Sequence, residues 1–341
     1  MRTSVFVTGA SGFVGGAVLR RLVASGADVT ALVRTDEAAT RVGRAGARSV
    51  RGDVLEPAGL REAMRGAEVV FHAAGVVAPC ARDPSAMLRT NVIGTANVVE
   101  AAAAVGARRL VHTSSTAAIG EPLGTLADED TPHRGWFVSG YERSKFESEV
   151  LAFARGAQLG LEVVCVNPCS VQGPGRADGT GRLLLSAARG TARVAVDATF
   201  SVVDVDDCAE GHVRAAERGE AGRRYILSAA TLTVGEALEI VRAATGGADR
   251  RRVAMLPAEA VVPIASLVDS LARLLRRDAP VCRAVALSLV HGKRFDGSRA
   301  TRELGLMYRP VAETFGRTID WFREAGRLGP QRRASGGGRA H

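Results

Sequence analysis

Tyr141-Glu142-Arg143-Ser144-Lys145 sets a phenol and an ammonium four residues apart, which on a helix is one turn apart on one face. Arginine dominates the basic residues and only Lys145 and Lys293 are lysines, so a lysine at this spacing is informative. An ammonium beside a phenol stabilises the phenolate and lowers its pKa from about 10, which would let Tyr141 exchange a proton near neutral pH. In Val111-His112-Thr113-Ser114-Ser115 a β-branched run ends in two hydroxyls, either of which could hydrogen-bond a substrate oxygen. Gly9-Ala10-Ser11-Gly12-Phe13-Val14-Gly15 follows a short apolar run and opens a helical pattern, so backbone N–H groups there can face a pyrophosphate with no Cβ in the way.

These residues need a frame that brings them to one edge. Short β-branched runs near Ser4 to Thr8, Asp28 to Val33, Arg48 to Arg51, Val69 to His72, Arg109 to Thr113 and Glu162 to Asn167 alternate with helical patterns over Phe13 to Ser25, Pro57 to Arg65, Pro84 to Val105 and Phe137 to Leu159. The alternation predicts an α/β, doubly wound parallel sheet of Rossmann type, with ligands at the carboxyl ends of its strands. Residues 1–170 read as the dinucleotide-binding domain and 171–326 as a smaller, irregular region, mainly substrate-binding with returning sheet elements. In it, short strands are expected near Ala192 to Val196 and Ser201 to Val205, and helices over Asp206 to Arg218, Val234 to Thr245 and Val311 to Ala325. Val253 to Leu275 is unusually apolar and reads as a lid or pocket helix; 327–341 reads as a disordered tail.

Composition limits the alternatives. The 341 residues are 46% hydrophobic and 24% charged, which suits a folded soluble protein, and no apolar run is long enough to span a membrane. The formal charge of +9 comes without a nucleic-acid motif, and 4% aromatic residues are too few for a stacking surface. No nucleic-acid partner and no membrane contact are expected. The five cysteines are odd in number and scattered, so buried thiols are expected, with no metal site. No secretory signal is visible at the start, which makes a cytoplasmic location the default expectation.

At the end of the second run stand Val33-Arg34-Thr35, with Arg41 seven residues on. A guanidinium there accommodates the 2′-phosphate of NADP, whereas an acid would accept from the 2′-hydroxyl of NAD; Asp36 and Glu37 are the competing acids. The reading favours NADP(H), with NAD(H) as the alternative.

The glycine spacing, the Tyr-Lys pair and Asn167-Pro168, Val205-Asp206-Asp207 and Asp320-Trp321-Phe322 together resemble the extended branch of the short-chain dehydrogenase/reductase superfamily, the NAD-dependent epimerase/dehydratase family. The likeness runs from Ser4 to about Ala325 and is strongest to dihydroflavonol-reductase-like proteins and hopanoid-associated sugar epimerases. It implies Ser115 as the catalytic serine, counted back from Gly120, with Ser114 as the neighbouring alternative, and Tyr141 and Lys145 as its partners. Asn91 matches a helix asparagine that orders a local water or backbone contact. Asp53 and Val54 match the adenine contact, Ala73-Ala74-Gly75 the small segment under the nicotinamide-side ribose, and Thr113, Asn167 and Pro168 further cofactor neighbours; His72 is not read as catalytic.

The resemblance also has a departure. Nucleotide-sugar members carry Arg-Asp shortly before Val-Asp-Asp, and this chain has Phe200-Ser201, which cannot donate charge-assisted bonds to a diphosphate. The expected activity is therefore NADPH-dependent reduction of a ketone or aldehyde on a small, largely apolar substrate. The alternatives are a nucleotide-sugar epimerase or dehydratase with tightly held NAD, and a non-catalytic NADP sensor or scaffold. The resemblance also implies a homodimer through the helices Pro84 to Val105 and Phe137 to Leu159.

Overall fold

The computed structural model describes residues 3–81, 83–246, 253–275, 282–291 and 293–328. Seven strands form the central sheet: β1 (Ser4–Thr8), β2 (Asp28–Val33), β3 (Arg48–Arg51), β4 (Val69–His72), β5 (Arg109–Thr113), β6 (Glu162–Pro168) and β7 (Arg224–Leu227). Their order in space is β7-β6-β5-β4-β1-β2-β3, and every pair is parallel. Chain direction across the sheet reverses between β1 and β4, and there an open parallel sheet leaves a crevice for a ligand. Val7, Val70, Val111 and Val164 are almost fully buried, as expected of strands covered on both faces.

Helix boundaries follow local chemistry. The expected helix start at Phe137 moves to Gly140, because the Ser139 hydroxyl accepts from Glu142 N at 3.1 Å and so caps the helix Gly140–Leu159. Gly160, at φ +69, ends it in the left-handed conformation that glycine adopts without strain. The expected single helix Pro84 to Val105 is instead Ser85–Leu88, a π-helical turn Arg89–Ile93, and Gly94–Ala104.

Beyond residue 170 the chain builds three small sheets and also returns β7 to the central one. The helix Val205–Arg218 covers the sheet beside Phe13–Ala24, where Arg21 pairs with Glu210 at 2.6 Å. Two expectations are corrected here. The apolar segment forms a strand, Ala254–Pro257, and a helix, Ala258–Leu274, but Ile264, Leu267, Leu271 and Leu274 face solvent at 55–79% exposure instead of lining a pocket. Cys80 and Cys282 are joined in a disulfide, whereas Cys165, Cys169 and Cys208 are the buried thiols expected. An odd count of cysteines does not exclude one pair, and the fold brings these two together across 202 residues. Of the expected tail, Arg327 and Leu328 are packed, Arg327 over the Trp321 ring at 5.7 Å; the rest lies outside the described residues.

Candidate active site

The crevice between β1 and β4 is shaped by glycines. Gly9 has φ +74, and a Cβ there would lie 2.5 Å from the Ala73 carbonyl carbon, so the turn after β1 closes directly onto the Ala73-Ala74-Gly75 segment after β4. A Cβ on Gly15 would fall 2.2 Å from Gly9 O, which fixes how closely the first helix approaches the loop. Gly12 is the exposed N-cap of Phe13–Ala24, with Ser11 exposed beside it, so the first-turn N–H groups of Phe13 and Val14 sit at an accessible, positively polarised helix end. The cradle fits a dinucleotide pyrophosphate.

Arg34 and Asp53 meet at the far end of this cleft, 3.7 Å apart, with the Arg34 side chain 72% exposed. The Asp53 carboxylate also accepts from Leu55 N at 3.0 Å, and Val54 O accepts from Asn97 Nδ2 at 2.9 Å, so the turn after β3 is pinned from both sides. Arg41 lies exposed on the helix Asp36–Arg44, where its charge helps hold the Glu37 carboxyl below its ordinary value, after a backbone hydrogen bond and the Thr35 hydroxyl.

At the other end stand Ser115, Tyr141 and Lys145. Ser115 follows β5 and accepts from Ala117 N at 3.2 Å. Burial raises the Tyr141 phenol above its ordinary value, while the Ser115 hydroxyl and the Arg176 charge act in the opposite direction. The expectation that Lys145 lowers the Tyr141 pKa is therefore corrected: the Lys145 ammonium is turned to the end of β5, donating to Thr113 O at 2.8 Å. Burial pushes Lys145 itself down to about 8, with Glu149 opposing. A Cβ on Gly75 would stand 3.9 Å from Lys145 Nζ and 3.3 Å from Asn91 Oδ1, so this glycine leaves the space in front of the ammonium open.

Ser114 points inward: its hydroxyl is buried and has no hydrogen-bond partner among the described residues, and its N–H donates to Val166 O at 2.8 Å. Asn91 is buried in the π-helical turn, where its Nδ2 donates to Val76 O at 3.0 Å and Ser144 Oγ at 2.9 Å, and its Oδ1 accepts from Val76 N at 2.7 Å. It thus ties the loop after β4 to the helix that carries Tyr141. Asn167 is fully buried, and its Nδ2 donates to Ser115 O at 3.1 Å and Glu149 Oε2 at 2.6 Å, so its side chain positions Ser115, while its Oδ1 has no hydrogen-bond partner among the described residues. The Thr113 hydroxyl likewise faces inward, 2.9 Å from His212 Nε2. His72 bridges Thr8 Oγ1 at 2.7 Å and Thr95 Oγ1 at 3.0 Å, and burial pushes its pKa down to about 3; it joins β1 and β4 to the neighbouring helix.

Sequence reasoning missed three residues here. Glu149 stands one turn beyond Lys145, a spacing that could have found it. Ser144 and Arg176 carried no such signal: one is a small polar residue in a helix, the other an arginine among many.

A family model described as the NAD dependent epimerase/dehydratase family matches residues 5–228. "Sterol demethylase protein B" of Methylococcus capsulatus is 32% identical over 95% of this chain and 100% of its own length. A 4-hydroxy-2-methyl-3-oxo-4-farnesyl-3,4-dihydroquinoline-1-oxide ketoreductase of Stigmatella aurantiaca is 34% identical over 96% of this chain and 98% of its own. The crystal structure of gox2253 superposes with a TM-score of 0.84 and 32% identity, covering 96% of this chain and 100% of that one.

Proposed function

This chain belongs to the NAD-dependent epimerase/dehydratase family, as an NAD(P)-dependent oxidoreductase of the extended short-chain dehydrogenase/reductase type, and from that premise we propose that it reduces a ketone or aldehyde on a small, largely apolar substrate with NADPH. Bound NADPH supplies the hydride. The chain supplies the rest: Ser115 hydrogen-bonds the carbonyl oxygen, Tyr141 donates its proton to that oxygen, and Lys145, anchored on Thr113 O, holds the nicotinamide-side ribose.

The observation that carries the substrate reading is the fate of Phe200 and Ser201. Phe200 packs against the apolar clusters of the C-terminal region. Ser201 is buried, its hydroxyl 2.7 Å from Thr231 Oγ1 and accepting from Phe295 N at 3.0 Å. Neither offers a cation to a diphosphate. Val77 and Trp136, at 63% and 50% exposure, are exposed apolar side chains on the loops after β4 and before the Tyr141 helix. A homodimer through Gly94–Ala104 and Gly140–Leu159 fits the exposed Ile93 and Val150 near and on those helices.

A screen of apolar ketones and aldehydes by NADPH absorbance, beside calorimetry with UDP- and dTDP-sugars, tests the reading. NADPH oxidation with the carbonyl panel and no sugar-nucleotide binding is the expected result. Micromolar binding of a nucleotide sugar with epimerised product would replace the reading with the epimerase one.

A further inference from the structure

Glu149 stands one turn after Lys145 on the helix Gly140–Leu159, and both side chains are buried. Two strands of the central sheet hold its carboxylate. Oε2 accepts from Asn167 Nδ2 of β6 at 2.6 Å, and Oε1 lies 3.0 Å from Arg224 Nε of β7. The same Asn167 Nδ2 donates to Ser115 O at 3.1 Å, so two hydrogen bonds join the carboxylate to the main chain of Ser115. That carbonyl also accepts from Ala118 N at 2.9 Å, which closes the turn after β5 on the same oxygen. A buried carboxylate is costly unless it is paired, and packing alone would be served by an apolar side chain.

The groups around Lys145 give this charge a second task. Tyr141 lies one turn before the lysine, and His72 of β4, His112 of β5 and Cys165 of β6 face it from the sheet. Burial keeps all four neutral at neutral pH: it pushes the imidazoles down, to about 3 for His72, and raises the phenol and the thiol. Among the described residues, Glu149 is the carboxylate that opposes burial at the ammonium, and Arg224 is the cation that competes for it.

We propose that Glu149 is a positioning residue: through Asn167 it fixes the main chain of Ser115, and along the helix it supplies the counter-charge to the Lys145 ammonium. One carboxylate thus governs two of the three groups that act together at the site. The part that concerns Ser115 rests on the carbonyl-reductase reading, whereas the part that concerns Lys145 needs only cofactor binding.

The test follows NADPH affinity against pH by fluorescence titration in wild type, Glu149→Gln and Glu149→Asp, with Lys145→Met as the background. It adds kcat and KM for NADPH oxidation with hexanal and 2-octanone. In wild type the affinity should weaken with a midpoint near the Lys145 value of about 8. Glu149→Gln keeps the size and loses the charge, so the midpoint should fall by about one pH unit or more. Glu149→Asp keeps the charge on a shorter stem, and its midpoint should lie between the two. Adding Glu149→Gln to Lys145→Met should change the affinity profile no further. In both Glu149 variants kcat should fall by about tenfold or more with KM for the carbonyl little changed, because neither side chain keeps the acceptor that holds Asn167 against Ser115. A lower melting temperature with the midpoint left near that of wild type would mark a merely structural residue and overturn the proposal; if Glu149→Gln does not fold, the aspartate variant decides alone. A moved midpoint with unchanged kcat would overturn the link to Ser115. Wild type that oxidises NADPH with neither carbonyl would count against the reductase reading, and the midpoint would still decide the role of Glu149.

Discussion

Ser115, Tyr141 and Lys145 meet between the end of β5 and one helix, and each is held by a different contact. Tyr141→Phe removes the transferable proton with little change in volume, so NADPH binding should persist while kcat falls by about a hundredfold or more. Stopped-flow cofactor binding beside steady-state turnover checks both. Lys145, with its pKa pushed down to about 8, loses its charge as pH rises through that value. NADPH affinity should therefore weaken above about pH 8 in wild type and stay flat there in Lys145→Met, measured by fluorescence titration. At the end of β2, Arg34 already has Asp53 at 3.7 Å and presents most of its side chain to solvent. Wild type should bind NADPH about tenfold to a hundredfold tighter than NADH, and Arg34→Ala should erase the difference, since a guanidinium-phosphate contact exists only with the 2′-phosphate. The Tyr-Lys spacing was readable because four residues on a helix fix a shared face whatever the surroundings. Where the ammonium turns was not readable, because burial and Thr113 O decide it, and both come from elements distant in sequence.

The π-helical turn Arg89–Ile93 shows how an element departs from its pattern for a purpose. Its extra residue per turn lets the Asn91 side chain serve the Val76 N–H and C=O while also bonding Ser144. Periodicity could not show this: apolar spacing in Pro84 to Val105 still fits one helix, and a single widened turn leaves that spacing almost unchanged. The six strands that the first 170 residues give to the central sheet were legible because β-branched runs between helical patterns leave few topologies. β7 was harder, since its tetrapeptide Arg224–Leu227 lies among irregular segments and is recognised as a strand only by its pairing to β6. Asn91→Ala should leave the part-buried Val76 amide and carbonyl without their side-chain partner, a cost of about 0.5–1.5 kcal/mol for each hydrogen bond lost. Calorimetric melting should show the loss, and hydrogen exchange should place it at Val76 and the loop after β4. Unchanged protection at Val76 would argue against the asparagine as the tie.

At the scale of the whole molecule, two features set how the fold responds to its medium. His72, His112 and His212 are buried near the β-strand ends, with pKa pushed to about 3 for His72, about 4 for His212 and well below the usual value for His112. Neutral in the fold, they bind protons in the unfolded chain below about pH 6.5, so their stabilisation is complete above that value and lost as pH falls from about 6.5 toward 4. Denaturant unfolding across that window should show stability falling with pH, and His212→Gln should flatten the fall. The second feature is the disulfide from Cys80, in the loop that Asn91 anchors, to Cys282, the N-cap of Arg283–Val290. It joins the loop after β4 to a helix 202 residues further on, and closing a loop of that length restricts the unfolded chain, with typical effects of about 2–4 kcal/mol. Reductant should therefore lower the melting temperature of wild type and leave a Cys80→Ser/Cys282→Ser variant, already lower, unmoved. Alkylation of the reduced native protein separates the two classes of sulfur. Cys80 should label, because it is only partly buried and lines a surface pocket with Val138 and Arg283, and Cys282, buried but lining the same pocket, should label more slowly. Cys165, Cys169 and Cys208 should not, because burial holds their thiols protonated and out of reach. Mass spectrometry that finds all five cysteines labelled at equal rates under native conditions would show that the three are not sealed in the core, and labelling of Cys80 and Cys282 before reduction would show that the bond does not form.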